Sequence, residues 1–157
     1  MTVRSFKLLL VVIFMLRMVS ACQGDTIQAK ISKELGIDIR EEVVVSHDDS
    51  HGGWHGDGVQ NTVLYLSDET VIDQIRENWN PLPMSEVLMR LNEMGWTGTS
   101  YVIPPEVANG GYYWKDRHSE AVDPADDSGV HGRHSYNFTL AVFDADTNTL
   151  YFVRVDT

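Results

Sequence analysis

Apolar and polar positions recur along this chain with two different periods, which divide it into helical and extended segments. Ile27, Ile31 and Leu35 repeat every fourth residue, predicting a helix over 27–35 with Asp25 or Thr26 as its cap and Gly36 as its stop. Residues 37–46 (IDIREEVVVS) and 59–67 (VQNTVLYLS) read as strands, although Glu41 and Glu42 interrupt the alternation of the first. Val71, Ile72, Ile75 and Trp79 share a helical face over 68–79, and Val87, Leu88, Leu91 and Met94 do so over 85–94. Pro81 and Pro83 break the chain between these two segments. Residues 100–103 precede a second break at Pro104-Pro105, and GYYWK at 111–115 reads as a further strand. Residues 136–143 and 150–155 complete the set, joined by the turn-forming DADTNT at 144–149. Tyr136, Phe138, Leu140 and Val142 alternate, so one face of this last hairpin is expected to meet the helices.

The resulting order, α-β-β-α-α-β-β-β, bunches the helices and joins most strands by hairpins. It predicts an α+β domain: an antiparallel sheet of about five strands with two to three helices packed on one face. A chain of 157 residues has room for one such domain, expected over residues 22–157.

Residues 1–21 follow a different pattern. Arg4 and Lys7 precede an unbroken apolar run, Leu8 to Leu16, too short for a comfortable membrane span of about 20 residues. Small residues then lead to Cys22, the layout of an export signal. The tetrapeptide Val19-Ser20-Ala21-Cys22 resembles the lipobox of bacterial lipoproteins. That resemblance implies cleavage ahead of Cys22, a diacylglyceryl-modified thiol carrying palmitate-type acyl chains, and tethering at the extracytoplasmic face of the cell membrane. Arg17 departs from the pattern, and a plain secretory or anchoring segment is the competing reading. Cys22 is the only cysteine, so the domain is expected to hold together without disulfides. Beyond this segment the chain resembles only small uncharacterised exported proteins, which implies no activity.

Charge narrows the partners. The chain carries 12 basic and 23 acidic residues, a net charge of −11. Cleavage before Cys22 would take away Arg4, Lys7 and Arg17, leaving nine basic residues against 23 and a net of −14. Such a domain is repelled by phosphate backbones, which argues against nucleic acid, while an unknown protein or small ligand stays open.

The candidate chemistry is confined to two stretches. SHDDSHGGWHGDG at 46–58 holds His47, His51 and His55 together with Asp48, Asp49, Asp57 and Trp54. DRHSEAVDPADDSGVHGRH at 116–134 holds His118, His131 and His134 among five acidic residues. The four-residue spacing of the first three histidines is not helical, because each interspersed glycine costs about 1 kcal/mol in a helix. Both stretches are therefore expected to be loops, the first joining two hairpin strands. If the fold brings them together, Trp54 would be an aromatic anchor with His47, His51, His55, Asp57, His118, His131 and His134 as its polar rim.

A second reading from another class is a metal-dependent hydrolase, with zinc held by imidazoles drawn from His47, His51, His55 and His118. No HExxH motif supports it. Calcium would need an irregular site, because an EF-hand register begun at Asp144 fails at Thr149 and one begun at Asp123 fails at Ala125 and Ser128. No nucleophile elbow or phosphate-cradling loop occurs either, so no catalytic residue is assigned. The leading expectation is a tethered, non-enzymatic binding module.

Overall fold

The computed structural model describes residues 26–52, 56–94 and 103–157. Three helices and six strands lie among them. In chain order they are α1 (Ile27–Leu35), β1 (Val43–Asp49), β2 (Gly58–Tyr65), α2 (Glu69–Asn78), β3 (Asn80–Pro81), α3 (Glu86–Glu93), β4 (Gly110–Asp116), β5 (Asn137–Asp144) and β6 (Thr149–Asp156). The strands form one antiparallel sheet in the order β1-β2-β6-β5-β4-β3. The α+β class is as expected. Five of the strands are long, and the sixth is the two-residue β3 beside Pro81, which periodicity does not mark.

Side chains with local jobs set the helix ends. The Thr26 hydroxyl accepts from the Ala29 amide at 3.2 Å, and Gly36 closes α1 at a φ of 72° with its own N–H on the Ser32 carbonyl. Asp68 caps α2 and Ser85 caps α3 in the same manner as Thr26. The expected strand over 37–46 begins only at Val43. Glu42 is the cause: it is buried, and its carboxylate accepts from the Ser67 and Asp68 amides at 2.8 and 3.0 Å and from the Ser67 hydroxyl at 3.0 Å. The residue that blurred the alternation fastens the chain at the entrance to α2.

The helices do not share one face of the sheet, and this corrects the expected packing. Strand residues alternate between faces. Ala141 and Phe143 of β5 meet Ile31 and Leu35 of α1 and Val71, Ile72 and Ile75 of α2 in one buried cluster. Phe138, Leu140 and Val142 of the same strand meet Leu88 and Leu91 of α3 in another, with Ile103 and Val130. Central β5 is buried on both sides, so the stripe that includes Phe138, Leu140 and Val142 is only half of its packing. On the α3 side, buried Asn92 clasps the Ile103 backbone: its amide donates to the carbonyl at 2.7 Å and its oxygen accepts from the N–H at 3.0 Å.

Candidate functional site

Strand register decides where the two polar loops go. Asp49 of β1 pairs with Gln60 of β2, Gly58 of β2 pairs with Asp156 of β6, and Asp156 also pairs with Asn137 of β5. β4 ends alongside them, with Asp116 opposite Phe138. The loop after β1 and the loop between β4 and β5 therefore leave the same end of the sheet, which the sequence left open. The β5–β6 turn lies at the other end.

The first loop is shorter than the sequence suggests. His47, Asp48 and Asp49 belong to β1, not to the loop, and His47 sits opposite Thr62 with its Nδ1 2.9 Å from the Thr62 hydroxyl. Ser50 closes the base: its N–H donates to the Val59 carbonyl at 3.0 Å, and its hydroxyl accepts from the Val59 amide at 2.8 Å. Gly58 is required by close approach, because a Cβ there would lie 2.6 Å from the His51 backbone nitrogen. Trp54 and His55, proposed as anchor and ligand, lie outside the described residues.

His51 connects the two loops. Its Nδ1 lies 2.6 Å from Asp49 Oδ1, and its Nε2 lies 3.1 Å from Asp156 Oδ2. The other Asp156 oxygen accepts from Arg117 Nη1 at 2.7 Å, where the second loop begins. Arg154 Nε donates to Asp156 Oδ2 at 2.9 Å. Arg117 is further held by the Phe138 and Val155 carbonyls and by the Thr139 hydroxyl, each at 3.0 Å. That hydroxyl donates to Glu34 of α1 at 2.9 Å. A continuous chain of contacts thus runs Asp49, His51, Asp156, Arg117, Thr139, Glu34. Burial pushes the Asp156 carboxyl up, but the hydrogen bonds and charges of Arg117 and Arg154 outweigh it and hold the group below its ordinary range. Burial likewise raises Asp49, and its backbone and side-chain hydrogen bonds from His51 bring it below that range.

This network borders an open groove of about 600 Å³ lined by Lys30, Asp49, His51, Asp57, Arg154 and Asp156, among others. Asp57 is exposed on it. The second-loop histidines are elsewhere. His118 places its Nε2 3.0 Å from the Ser135 hydroxyl and accepts the Glu120 amide at its Nδ1, while His131 and His134 are exposed. Among the described residues, no hydrogen bond or ion pair joins a histidine of one loop to a histidine of the other. The loops converge; among the described residues their imidazoles do not. Nor does any group of three or more His, Cys, Asp or Glu among the described residues stand close enough to hold a metal ion. His47, His51 and His118 are each turned to partners within the chain.

The second loop is held from beneath. Buried Asp116 receives the His118 amide at 2.9 Å and pairs with Arg133, and Val130 is buried in the α3-side cluster. The residues that sequence reasoning missed are Arg117, Arg154 and Asp156. A signal was present: Arg154 and Asp156 continue the stripe of Leu150 and Phe152, so charges fall on an inward-facing row.

Among the described residues no helix is long and apolar enough to cross a membrane. No family model, curated protein or solved structure matches the chain.

Proposed function

We propose that this chain is a lipid-tethered, non-enzymatic binding module of the cell envelope, and that its contact surface is the loop-bearing end of the sheet. One observation carries the reading: two loops far apart in sequence leave the same sheet end and are joined there through His51, Asp156 and Arg117 beside an open groove. Polar groups fixed by one another on rigid strands make a preorganised surface, which lowers the cost of ordering on binding. The shared end also sets Asp57 near the groove, so the first loop and the groove can meet a single partner.

The tether rests on the lipobox-like Val19-Ser20-Ala21-Cys22. Two or more acyl chains on Cys22 would give a stable anchor, whereas one would be marginal. With only Gln23, Gly24 and Asp25 between Cys22 and the Thr26 cap of α1, a few residues spanning about 10 Å would keep the domain close to the bilayer.

Two measurements test this. Mass spectrometry of the native product is expected to show an N-terminal acylated Cys22; an unmodified thiol or an intact Met1 would remove the tether. Capture of a partner from membranes is expected to fall at least about tenfold when Trp54 is replaced by alanine. Undiminished capture would take the first loop out of the contact surface.

A further inference from the structure

We propose that the cleft between α1 and the sheet, adjoining the groove, binds a small organic polyanion: a molecule bearing two or more phosphate or carboxylate charges. Four cations line it, Lys30 and Lys33 of α1, Lys115 of β4 and Arg154 of β6, against the single carboxylate of Glu34. In a chain with 23 acidic and 12 basic residues this is a local reversal of sign. Three separate elements supply the cations, so folding alone assembles them.

The protein neutralises them only in part. Neither Lys30 nor Lys33 has an ion-pair partner among the described residues. Lys115 stands 3.7 Å from Glu34, whose carboxylate also receives the Thr139 hydroxyl and lies 3.9 Å from Arg117. Arg154 spends its Nε on Asp156, and its terminal nitrogens have no partner among the described residues. With two carboxylates, Glu34 and Asp156, set against four cations, a positive excess remains, and an oxyanion bound between Lys30, Lys33 and the Arg154 terminal nitrogens would exchange their repulsion for charge-assisted hydrogen bonds.

Shape and size favour a small molecule. The cleft encloses about 430 Å³, within the range of small-ligand sites of about 300–1,000 Å³. Buried Ile31 and Phe152 contribute an apolar floor against which a carbon frame could lie. An extended polyanion such as nucleic acid would leave the cleft and meet the acidic remainder of the surface. A small one stays within roughly one screening length, about 10 Å, of the four cations.

This inference rests on reading this end of the molecule as a contact surface, and it names the chemistry recognised there. The test is calorimetric titration of the full chain, in neutral detergent, with pyrophosphate and separately with citrate. Saturable binding of either is expected, and binding of one alone assigns phosphate or carboxylate chemistry. The double variant Lys30→Gln/Lys33→Gln should bind at least about tenfold more weakly. Both side chains are exposed, so circular dichroism should show an unchanged fold. Absence of saturable binding, or equal affinity in the variant, overturns the proposal. Partner capture with Trp54→Ala reads the loop and this titration reads the cleft, so failure of the one is distinguishable from failure of the other.

Discussion

Replacing Phe143 by alanine is expected to remove about 3–5 kcal/mol of folding stability. Phe143 is fully buried, near the end of β5, and packs into the cluster formed with α1 and α2. On its other side β5 is covered by the α3 cluster, so the strand cannot move far to fill the space. The chain has one cysteine and hence no internal disulfide to hold the folded state while the core loosens. Urea unfolding followed by circular dichroism should show the midpoint falling sharply with little change in slope. Val122→Ala is the control: Val122 is fully exposed, and its loss should stay within about 0.5 kcal/mol. Similar midpoints for the two variants would mean that the two-sided packing of β5 is wrong.

Asp156→Ala is the second large effect, about 2–4 kcal/mol. The substitution leaves the Arg117 guanidinium, largely buried, without its carboxylate, though its carbonyl and hydroxyl partners remain. It also parts His51 from β6, separating the two loops. The pH dependence has a definite sign. The Asp156 carboxyl is held below its ordinary value of 3.8, so its contribution is fully present above that value. The contribution is lost as pH falls through the folded-state value. The stability gap between wild type and Asp156→Ala should therefore be constant near neutrality and close at acid pH below about 3.8. A gap unchanged down to the acid limit would show that Asp156 does not act through its charge.

The helices and the last hairpin were legible because their apolar residues repeat cleanly: α1 falls on its expected residues, and β5 and β6 lie within a residue or two of theirs. Two-sided packing was not. On β5 one stripe holds Phe138, Leu140 and Val142, while the other runs through Asn137, Thr139 and Ala141, whose polar or small side chains do not announce a core. Residues 37–42 misread as strand because Ile37 and Ile39 are buried like strand residues, yet serve an irregular link that ends at Glu42.

The candidate site was half legible. Clustered histidines, aspartates and glycines pointed to the turn after β1, although His47, Asp48 and Asp49 belong to the strand; Asp49, His51 and Asp57 border the groove. Local sequence could not show that His51 meets Asp156, because that contact exists only once β6 lies beside β2. For the same reason the shared sheet end followed from register, which depends on pairings between distant strands. His118, His131 and His134 looked equivalent to the first three because composition carries no direction.

The claim that the loop-bearing end is the contact surface can be tested by where a partner can be trapped. A photo-crosslinking residue is placed at Asp57, exposed at the groove, or at Asp146, exposed in the β5–β6 turn at the opposite end. Each chain is irradiated in native membranes. The account predicts a specific adduct from position 57 and none from position 146; an adduct from 146 alone would contradict it.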